Sequence, residues 1–563
     1  MTNGESGAVL RSGALMAAGT VLSRLTGVLR DIALAAALGF GMLADTYALG
    51  NALPNIVYIL IIGGALNAVF VPQLVRRMQR DDDGGDEYAH RLLTLTGLAL
   101  LVLSIAAVLA APWLVRLYAT SDYQAAELDL AVVFARYCLP QIFFYGLYTM
   151  LSQVLNARMR FGPPMFTPII NNIVMIATAV GFVWLVGTDL TVGSISATQT
   201  AVLGIATTTG IALQALALIP FVRAAGYSWR PRFDFRGWGL GKAGSLAGWT
   251  IGLVLVNQLG FLVISRLATT ANVLAAQAGT VPEGLATYQR AYLVFMLPHS
   301  VITISLVTAL LPRMSKAAAA NDLRRVGADV AGGLRLVGAL IIPASLFLLV
   351  FGPAIGTVLF DFGAGAGGAA EYTGLVVSAF GIGLLPFSAF YVLLRGWYAV
   401  EDTRTPFLIT VIYNVIAIPL TIAVFMLVPV EGKVISLAVS YGVAYWLVIV
   451  VAWWRLNRRL GGLDSTRTAF GLVRITAAAL VSVAVGLGVA WPIGKFVGSA
   501  DQSGSAWFAL DYWPSFFALI SGVAAMALAY FGCARLFRVT EVQDVISTLV
   551  PRFAGSRKGT SGP

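Results

Sequence analysis

Hydrophobic residues fill long segments of this chain, and polar residues are largely confined to the short stretches between them. An α-helix rises 1.5 Å per residue, so about 20 apolar residues cross a bilayer. About fourteen segments are long enough, and this even number places both termini on one side of the membrane. The segments cover residues 13–38, 43–74, 92–118, 129–156, 165–187, 199–224, 243–268, 284–312, 333–360, 371–397, 406–428, 433–455, 469–492 and 513–535. The pattern predicts an all-α polytopic membrane protein.

The first segment carries charged residues within its apolar length. Arg24, Gly27 and Asp31 recur at helical spacing and form one stripe, and Ser23 and Arg30 lie beside it. A charge near the bilayer centre costs about 2.5–3.5 kcal/mol on insertion scales. We therefore expect this face to line a bundle interior or a water-filled cavity, while the opposite leucine- and valine-rich face contacts lipid.

Composition supports the membrane class, because the chain is 58% hydrophobic and only 11% charged, with a mean hydropathy of +0.83. Its net charge of +11 comes mainly from alternate loops, which the positive-inside rule assigns to the cytoplasm. Both termini are thus predicted to be cytoplasmic, and nucleic acid is not expected as a partner. Basic residues of these loops and of the tail include Arg76, Arg77, Arg80, Arg91, Arg158, Arg160, Arg223, Arg230, Arg232, Arg236, Lys242, Arg313, Lys316, Arg404, Arg455, Arg458 and Arg535.

An internal repeat relates the two parts of the chain. Identical residues recur 242 positions apart, including Pro164 with Pro406 and Asn172 with Asn414, and Ser23-Arg24-Leu25 recurs as residues 265–267. The repeat predicts two six-helix lobes with a parallel pseudo-two-fold relation, and a substrate site at their interface. The predicted domains are an N-lobe (8–226), a C-lobe (240–460), helices 13 and 14 (467–537) and a cytoplasmic tail (538–563).

Ionisable residues inside the spans are mostly basic. The candidate binding residues are Arg24, Arg30, Arg266 and Arg290, and the acids among them are Asp31 and Asp45. Guanidinium suits phosphate in a bidentate geometry, so an excess of arginine indicates an anionic substrate such as a phosphate or diphosphate. Two alternatives stay open: the arginines pair with the two acids or extend to the interface, and Asp45 caps the second helix.

No nucleotide, zinc or nucleophile motif is evident, and the cysteines Cys138 and Cys533 lie in apolar segments. We therefore expect no cofactor, no metal site and no enzymatic activity.

The stretch Ser23–Asp31 resembles the S-R-x-x-G-x-x-R-D signature of the MurJ (MviN) lipid II flippases, a family of the MOP superfamily. Leu53-Pro54-Asn55, Tyr288-Gln289-Arg290 and the loop 401–406 resemble further family motifs. The resemblance implies a flippase that moves lipid II, an undecaprenyl-diphosphate-linked muropeptide, from the inner to the outer leaflet of the plasma membrane for cell-wall synthesis.

The same resemblance implies residue roles and partners. Arginines matching Arg24, Arg30 and Arg290 line a central cavity, Asp31 and Asp45 are cavity or gating acids, and Ser23 and Gly27 support the signature. Helices 13 and 14 would form a groove for the lipid tail. Partners would be lipid II and membrane lipids, with cell-wall synthesis and division proteins as further candidates.

The chain departs from many relatives in two respects. The run after Leu53-Pro54-Asn55 lacks one cavity arginine, which Arg266 could replace, and the carboxylates of a sodium site are absent. Two other functions remain in view: export of another lipid-linked oligosaccharide or a soluble solute, and a membrane scaffold without transport.

Overall fold

The computed structural model describes residues 3–60, 86–234, 244–497 and 512–537, together with 539, 541 and 542. These residues form helices joined by short connections, and none of them lies in a β-strand. The helices are α1 (Asn3–Leu38), α2 (Met42–Tyr58), α3 (Asp86–Leu109), α4 (Ala111–Tyr118), α5 (Ala125–Cys138), α6 (Gln141–Ala157), α7 (Gly162–Phe166), α8 (Pro168–Val186), α9 (Ala197–Leu216), α10 (Ile219–Ala224), α11 (Gly244–Ala278), α12 (Leu285–Pro298), α13 (Ile304–Ala319), α14 (Leu323–Phe360), α15 (Gly368–Ala399), α16 (Arg404–Leu427), α17 (Lys433–Leu460), α18 (Ser465–Val497) and α19 (Tyr512–Leu536).

Within the described ranges, 12 helical segments are long and apolar enough to cross a membrane. They correspond one for one to the third to fourteenth predicted segments. The first predicted segment lies within α1, and the second begins as α2, while its remainder after residue 60 lies outside the described residues. The prediction of an all-α polytopic membrane protein is confirmed. The basic residues Arg76, Arg77, Arg80, Arg236 and Lys242 and nearly all of the predicted tail also lie outside the described residues.

Prolines lie at the points where two of the predicted segments are interrupted. The segment 129–156 is two helices, α5 and α6, because Pro140 lies between them and cannot donate the backbone hydrogen bond that would continue α5. Pro298 ends α12 and is followed by a π-helical turn, His299–Thr303, before α13 begins. Such turns leave a carbonyl without its usual partner and often mark functional positions.

The repeat seen in the sequence recurs in local backbone geometry. Met159 and Glu401, which lie 242 positions apart, both adopt the left-handed conformation with a φ of 58°. The next residue in each case, Arg160 or Asp402, donates its amide to a carbonyl five residues earlier, at 2.8 and 3.0 Å respectively. The loops after α6 and α15 therefore close their helices in the same way.

The chain divides into two compact units, each built from more than one stretch of sequence. Unit 1 comprises residues 1–290, 360–369 and 410–437, and unit 2 comprises residues 291–359, 370–409 and 438–563. Unit 1 has a core around Phe134, Leu203 and Met175, and unit 2 has one around Ile475, Ala479 and Tyr530. These units are not the predicted lobes, because α11 groups with the N-terminal helices; the division into two lobes therefore remains a prediction.

Two helices of unit 2, α14 and α15, cross with their backbones in direct contact. A Cβ built at Gly374 would lie 2.4 Å from the carbonyl oxygen of Gly352, and one built at Gly352 would lie 2.4 Å from the carbonyl oxygen of Gly374. Small residues allow this approach, which is a common basis of helix association in membranes because lipid supplies no hydrophobic drive between helices.

We predict that Gly374→Ala destabilises the protein by about 1–3 kcal/mol, because the added methyl group overpacks a contact with a backbone atom. Its thermal unfolding midpoint in detergent should fall below that of the wild type. Gly488→Ala is the matched control, since a Cβ there meets nothing within 4 Å and alanine favours a helix. Equal midpoints for Gly374→Ala and Gly488→Ala would contradict the assignment.

Candidate functional site

The candidate residues of α1 occupy a polar face, as predicted from their spacing. Arg30 and Asp31 are half-buried, and Nη2 of Arg30 lies 3.0 Å from Oδ2 of Asp31. On the other side of the helix, Leu25 and Leu29 are exposed. The alternative that an arginine pairs with an acid of the same segment therefore applies to Arg30. Only Nη2 of Arg30 contacts Asp31, so the pair leaves the other guanidinium nitrogens to other partners.

A buried asparagine of α8 holds this face in position. Asn172 donates from Nδ2 to the carbonyl oxygen of Ser23 at 3.2 Å and to Oγ1 of Thr26 at 3.0 Å. Its Oδ1 accepts from Nη1 of Arg30 at 3.3 Å. Asn172 thus fixes the α1 backbone and one edge of the Arg30 guanidinium together. The sequence pointed to Asn172 only as a position of the internal repeat. The feature that could have indicated its contact with α1 is a polar amide side chain within an apolar span.

Gly27 lies beside Asn172 but has room for a side chain. A Cβ built at Gly27 would lie 3.7 Å from Nδ2 of Asn172, which is ordinary van der Waals contact. Space alone therefore does not require glycine at this position.

Two candidate arginines have no ion-pair partner among the described residues. Arg24 of α1 is exposed, and Arg266 of α11 is half-buried. Their neighbours anchor the helices instead: Oγ of Ser265 donates to the carbonyl oxygen of Tyr118 at 3.0 Å. Within the part of the chain that the structure describes, neither guanidinium group is committed to an ion pair.

Asp45 is completely buried in the first turn of α2, and its carboxylate caps a different helix. Its Oδ2 accepts from the amide of Leu285 at 2.9 Å, and its Oδ1 accepts from the amide of Ala286 at 2.8 Å. These amides open α12, where a helix has unpaired donors and favours negative charge. A Cβ at Gly284 would lie 2.1 Å from Oδ2 of Asp45, so glycine is needed there. Asp45 caps α12, not α2.

Arg290, in the second turn of α12, reaches the turn between α1 and α2. It is buried, donates from Nη1 to the carbonyl oxygen of Gly39, and places its Cζ 4.4 Å from the ring centroid of Phe40. Asp45 and Arg290 therefore join the α1–α2 turn to the start of α12 by two separate contacts.

The segment after α10, which was predicted to be cytoplasmic, is held against α3. Arg158 pairs with Asp86 and lies 5.5 Å from the ring centroid of Tyr227. Nδ1 of His90 accepts from the amide of Arg230 and lies 3.0 Å from the Tyr227 hydroxyl. Burial raises the pKa of Tyr227, so its hydroxyl keeps its proton and can donate to His90.

Unit 2 contains an apolar cavity of about 850 Å³ between α14 and α19. Its walls include Phe347, Met526, Phe531 and Arg535. Cavities of this size hold ligands of several hundred cubic ångströms. The described residues contain no group of three or more His, Cys, Asp or Glu side chains that could hold a metal ion.

Comparison with known proteins identifies the family. The model of the family described as lipid II flippase MurJ matches residues 34–497. The chain belongs to the MurJ lipid II flippase family. A probable lipid II flippase MurJ from Rhizobium tropici is 28% identical to the chain over 476 residues, 84% of each protein. A lipid II flippase MurJ from Burkholderia cenocepacia is 28% identical over 444 residues, 78% of this chain and 82% of the relative.

Solved structures support the same fold. A lipid II flippase MurJ in an inward closed conformation aligns with a TM-score of 0.70 at 18% identity, covering 95% of this chain and 100% of the other. An inward-facing multidrug resistance MATE transporter of the MOP superfamily aligns with a TM-score of 0.60 at 13% identity, covering 77% of this chain and 95% of the other. The expected membership of the MurJ family is confirmed, and the chain is a multi-pass membrane protein of a transporter family. The MATE transporter shares its fold.

We predict that Asp45→Ala lowers the stability of the protein by about 1–2 kcal/mol, because it leaves two amides of α12 unpaired. Hydrogen exchange should accelerate at the amides of Leu285 and Ala286. Ser196→Ala serves as a control, since Ser196 caps α9 through the amide of Gln199 at 3.2 Å. That variant should lower stability without changing exchange at the start of α12. Unchanged exchange there in Asp45→Ala would refute the capping role.

Proposed function

We propose that this protein is a flippase that moves lipid II from the inner to the outer leaflet of the plasma membrane by alternating access. The family match over residues 34–497 carries the proposal. A transporter of this kind makes and breaks no covalent bond, so we assign no catalytic residue. The product of transport is a precursor for peptidoglycan assembly, which places the protein in cell-wall biogenesis.

The diphosphate of the substrate binds arginine side chains in this proposal. Arg24 and Arg266 are candidates because neither forms an ion pair with a described residue. Arg30 is a candidate because Asn172 and Asp31 orient its guanidinium but occupy only part of its donors. Arg290 uses one donor for the carbonyl oxygen of Gly39 and retains others for an anion.

The acids act on conformation and not on the substrate. Asp31 orients Arg30, and Asp45 links α2 to α12 through the helix cap. A carboxylate that caps a neighbouring helix is released only when the two helices separate. We therefore assign Asp45 a gating role. The resemblance to the MurJ family implied this role, and the cap on α12 supplies a physical reason for it.

The remaining assignments follow from the repeat and the charge pattern. The halves 8–226 and 240–460 are the two lobes that rock about the substrate, and both termini are cytoplasmic. The last two predicted helices, residues 467–537, correspond to α18 and α19 and receive the polyprenyl tail in this proposal. The apolar cavity between α14 and α19 supports an apolar ligand beside the second of these helices. The partners are lipid II and membrane lipids, with cell-wall synthesis and division proteins as candidates.

The two other functions have less support. A carrier of soluble solutes would share the fold of the MATE transporters, but the family match and the excess of arginine favour a lipid-linked anion. A scaffold without transport gives no reason for arginines inside predicted spans that form no ion pair with a described residue.

We predict that Arg30→Ala fails to support growth of a strain depleted of its own lipid II flippase, because the diphosphate loses a charge-assisted contact. Such contacts contribute about 1.5–3 kcal/mol, so substrate affinity should fall roughly 10- to 100-fold. Membrane levels of the variant are measured by immunoblotting. Arg223→Ala is the control, since Arg223 is an exposed residue at the end of α10. Growth of Arg30→Ala equal to that of Arg223→Ala would overturn the site assignment.

A further inference from the structure

Unit 2 contains an arginine within a span that the sequence analysis did not include among its candidates. Arg395 lies in α15, one turn before that helix ends at Ala399. It is half-buried, whereas the basic residues at the end of α17, Arg455, Arg458 and Arg459, are exposed.

Two aromatic rings hold the Arg395 guanidinium. Its Cζ lies 4.4 Å from the ring centroid of Tyr391 and 5.5 Å from that of Tyr398, and Nη2 donates to the Tyr391 hydroxyl. Its Nε is buried and makes no hydrogen bond with a described residue. Nor does any described carboxylate pair with it. Neutral groups therefore orient the cation, and its Nε has no hydrogen-bond partner among the described residues.

The surroundings continue this mixture of aromatic and polar groups. The ring of Tyr391 meets the ring of His299 edge-on at 5.1 Å, and His299 packs against Phe387 at 4.5 Å. Nδ1 of His299 lies 3.0 Å from the hydroxyl oxygen of Ser388. His299 opens the π-helical turn after Pro298. Aromatic walls with a few fixed polar groups are typical of sites that bind organic ligands.

Arg458 shows what an ordinary interfacial arginine looks like in the same unit. It is exposed, and its Cζ lies 4.1 Å from the ring centroid of Trp454. Both residues make a cation–π contact near the end of a span, but of the two only Arg395 has a buried donor without a hydrogen-bond partner among the described residues. Because buried donors in proteins are nearly always hydrogen-bonded, this difference indicates a ligand acceptor at Arg395.

We propose that Arg395 is the cation of a second anion site, which binds a phosphate or carboxylate group of the lipid-linked substrate. The inference rests on the proposed function and extends it to α15. A guanidinium can offer Nε and an Nη as parallel donors to one oxyanion, and the contacts with the ring and hydroxyl of Tyr391 hold that fork in place. An anionic phospholipid headgroup offers the same chemistry and is the competing source.

Native mass spectrometry of the full-length protein tests the proposal with two probes, purified lipid II and phosphatidylglycerol, titrated separately. The variants are Arg395→Ala, Arg395→Lys and the matched control Arg458→Ala. We expect Arg395→Ala to weaken lipid II binding about tenfold, because one charge-assisted contact is lost. Arg458→Ala should bind lipid II as the wild type does, and phosphatidylglycerol binding should be equal in all four proteins.

Each other outcome is decisive. Equal lipid II binding by the wild type and Arg395→Ala overturns the inference and leaves the proposed function intact. Weaker binding of phosphatidylglycerol alone assigns the residue to a phospholipid and overturns it as well. Failure of the wild type to bind lipid II overturns both. If Arg395→Ala does not fold, Arg395→Lys is compared: it keeps the charge without the fork, and we expect its lipid II binding to be at least threefold weaker.

Discussion

A charged side chain inside a membrane-spanning bundle costs at least about 2.5 kcal/mol unless polar groups surround it. The arrangement of unit 1 follows from that constraint. Asn172 supplies α1 with an acceptor for Arg30 and with donors for a backbone carbonyl and a hydroxyl. One amide side chain thereby links α8 to both the backbone and the Arg30 side chain of α1. The guanidinium that it orients is the group we assign to the substrate.

The same constraint explains the contacts of Asp45 and Arg290: Asp45 of α2 contacts the start of α12, and Arg290 of α12 contacts the turn between α1 and α2. Each ionic group is satisfied by backbone: the Asp45 carboxylate by the first amides of α12, and Arg290 by the carbonyl oxygen of Gly39. Gly39 has a φ of 66°, which only glycine adopts readily, so its carbonyl is presented by a turn that other residues would strain. Contacts of this kind break together when the helices part, as a gate requires.

Sequence reasoning was strongest where one physical rule dominates. Hydrophobic length predicted the spans, and helical spacing predicted the polar face of α1. It could not assign the partner of Asp45, because a cap on α12 joins residues 240 positions apart. It also missed Arg395, since a basic residue near the end of a span resembles an interfacial one until its buried Nε is seen. Proline alone does not predict a break, since Pro140 separates α5 from α6 whereas Pro386 lies inside the continuous helix α15.

In the proposed mechanism, oriented arginines carry a lipid-linked diphosphate across the membrane. Reconstituted vesicles containing fluorescent lipid II test it most directly, since a membrane-impermeant quencher added outside reports how fast label from the inner leaflet becomes accessible. We expect rapid exposure of the label with the wild type, and exposure no faster than in protein-free vesicles with Arg30→Ala. Equal rates for the wild type and Arg30→Ala, both above that of protein-free vesicles, would contradict it.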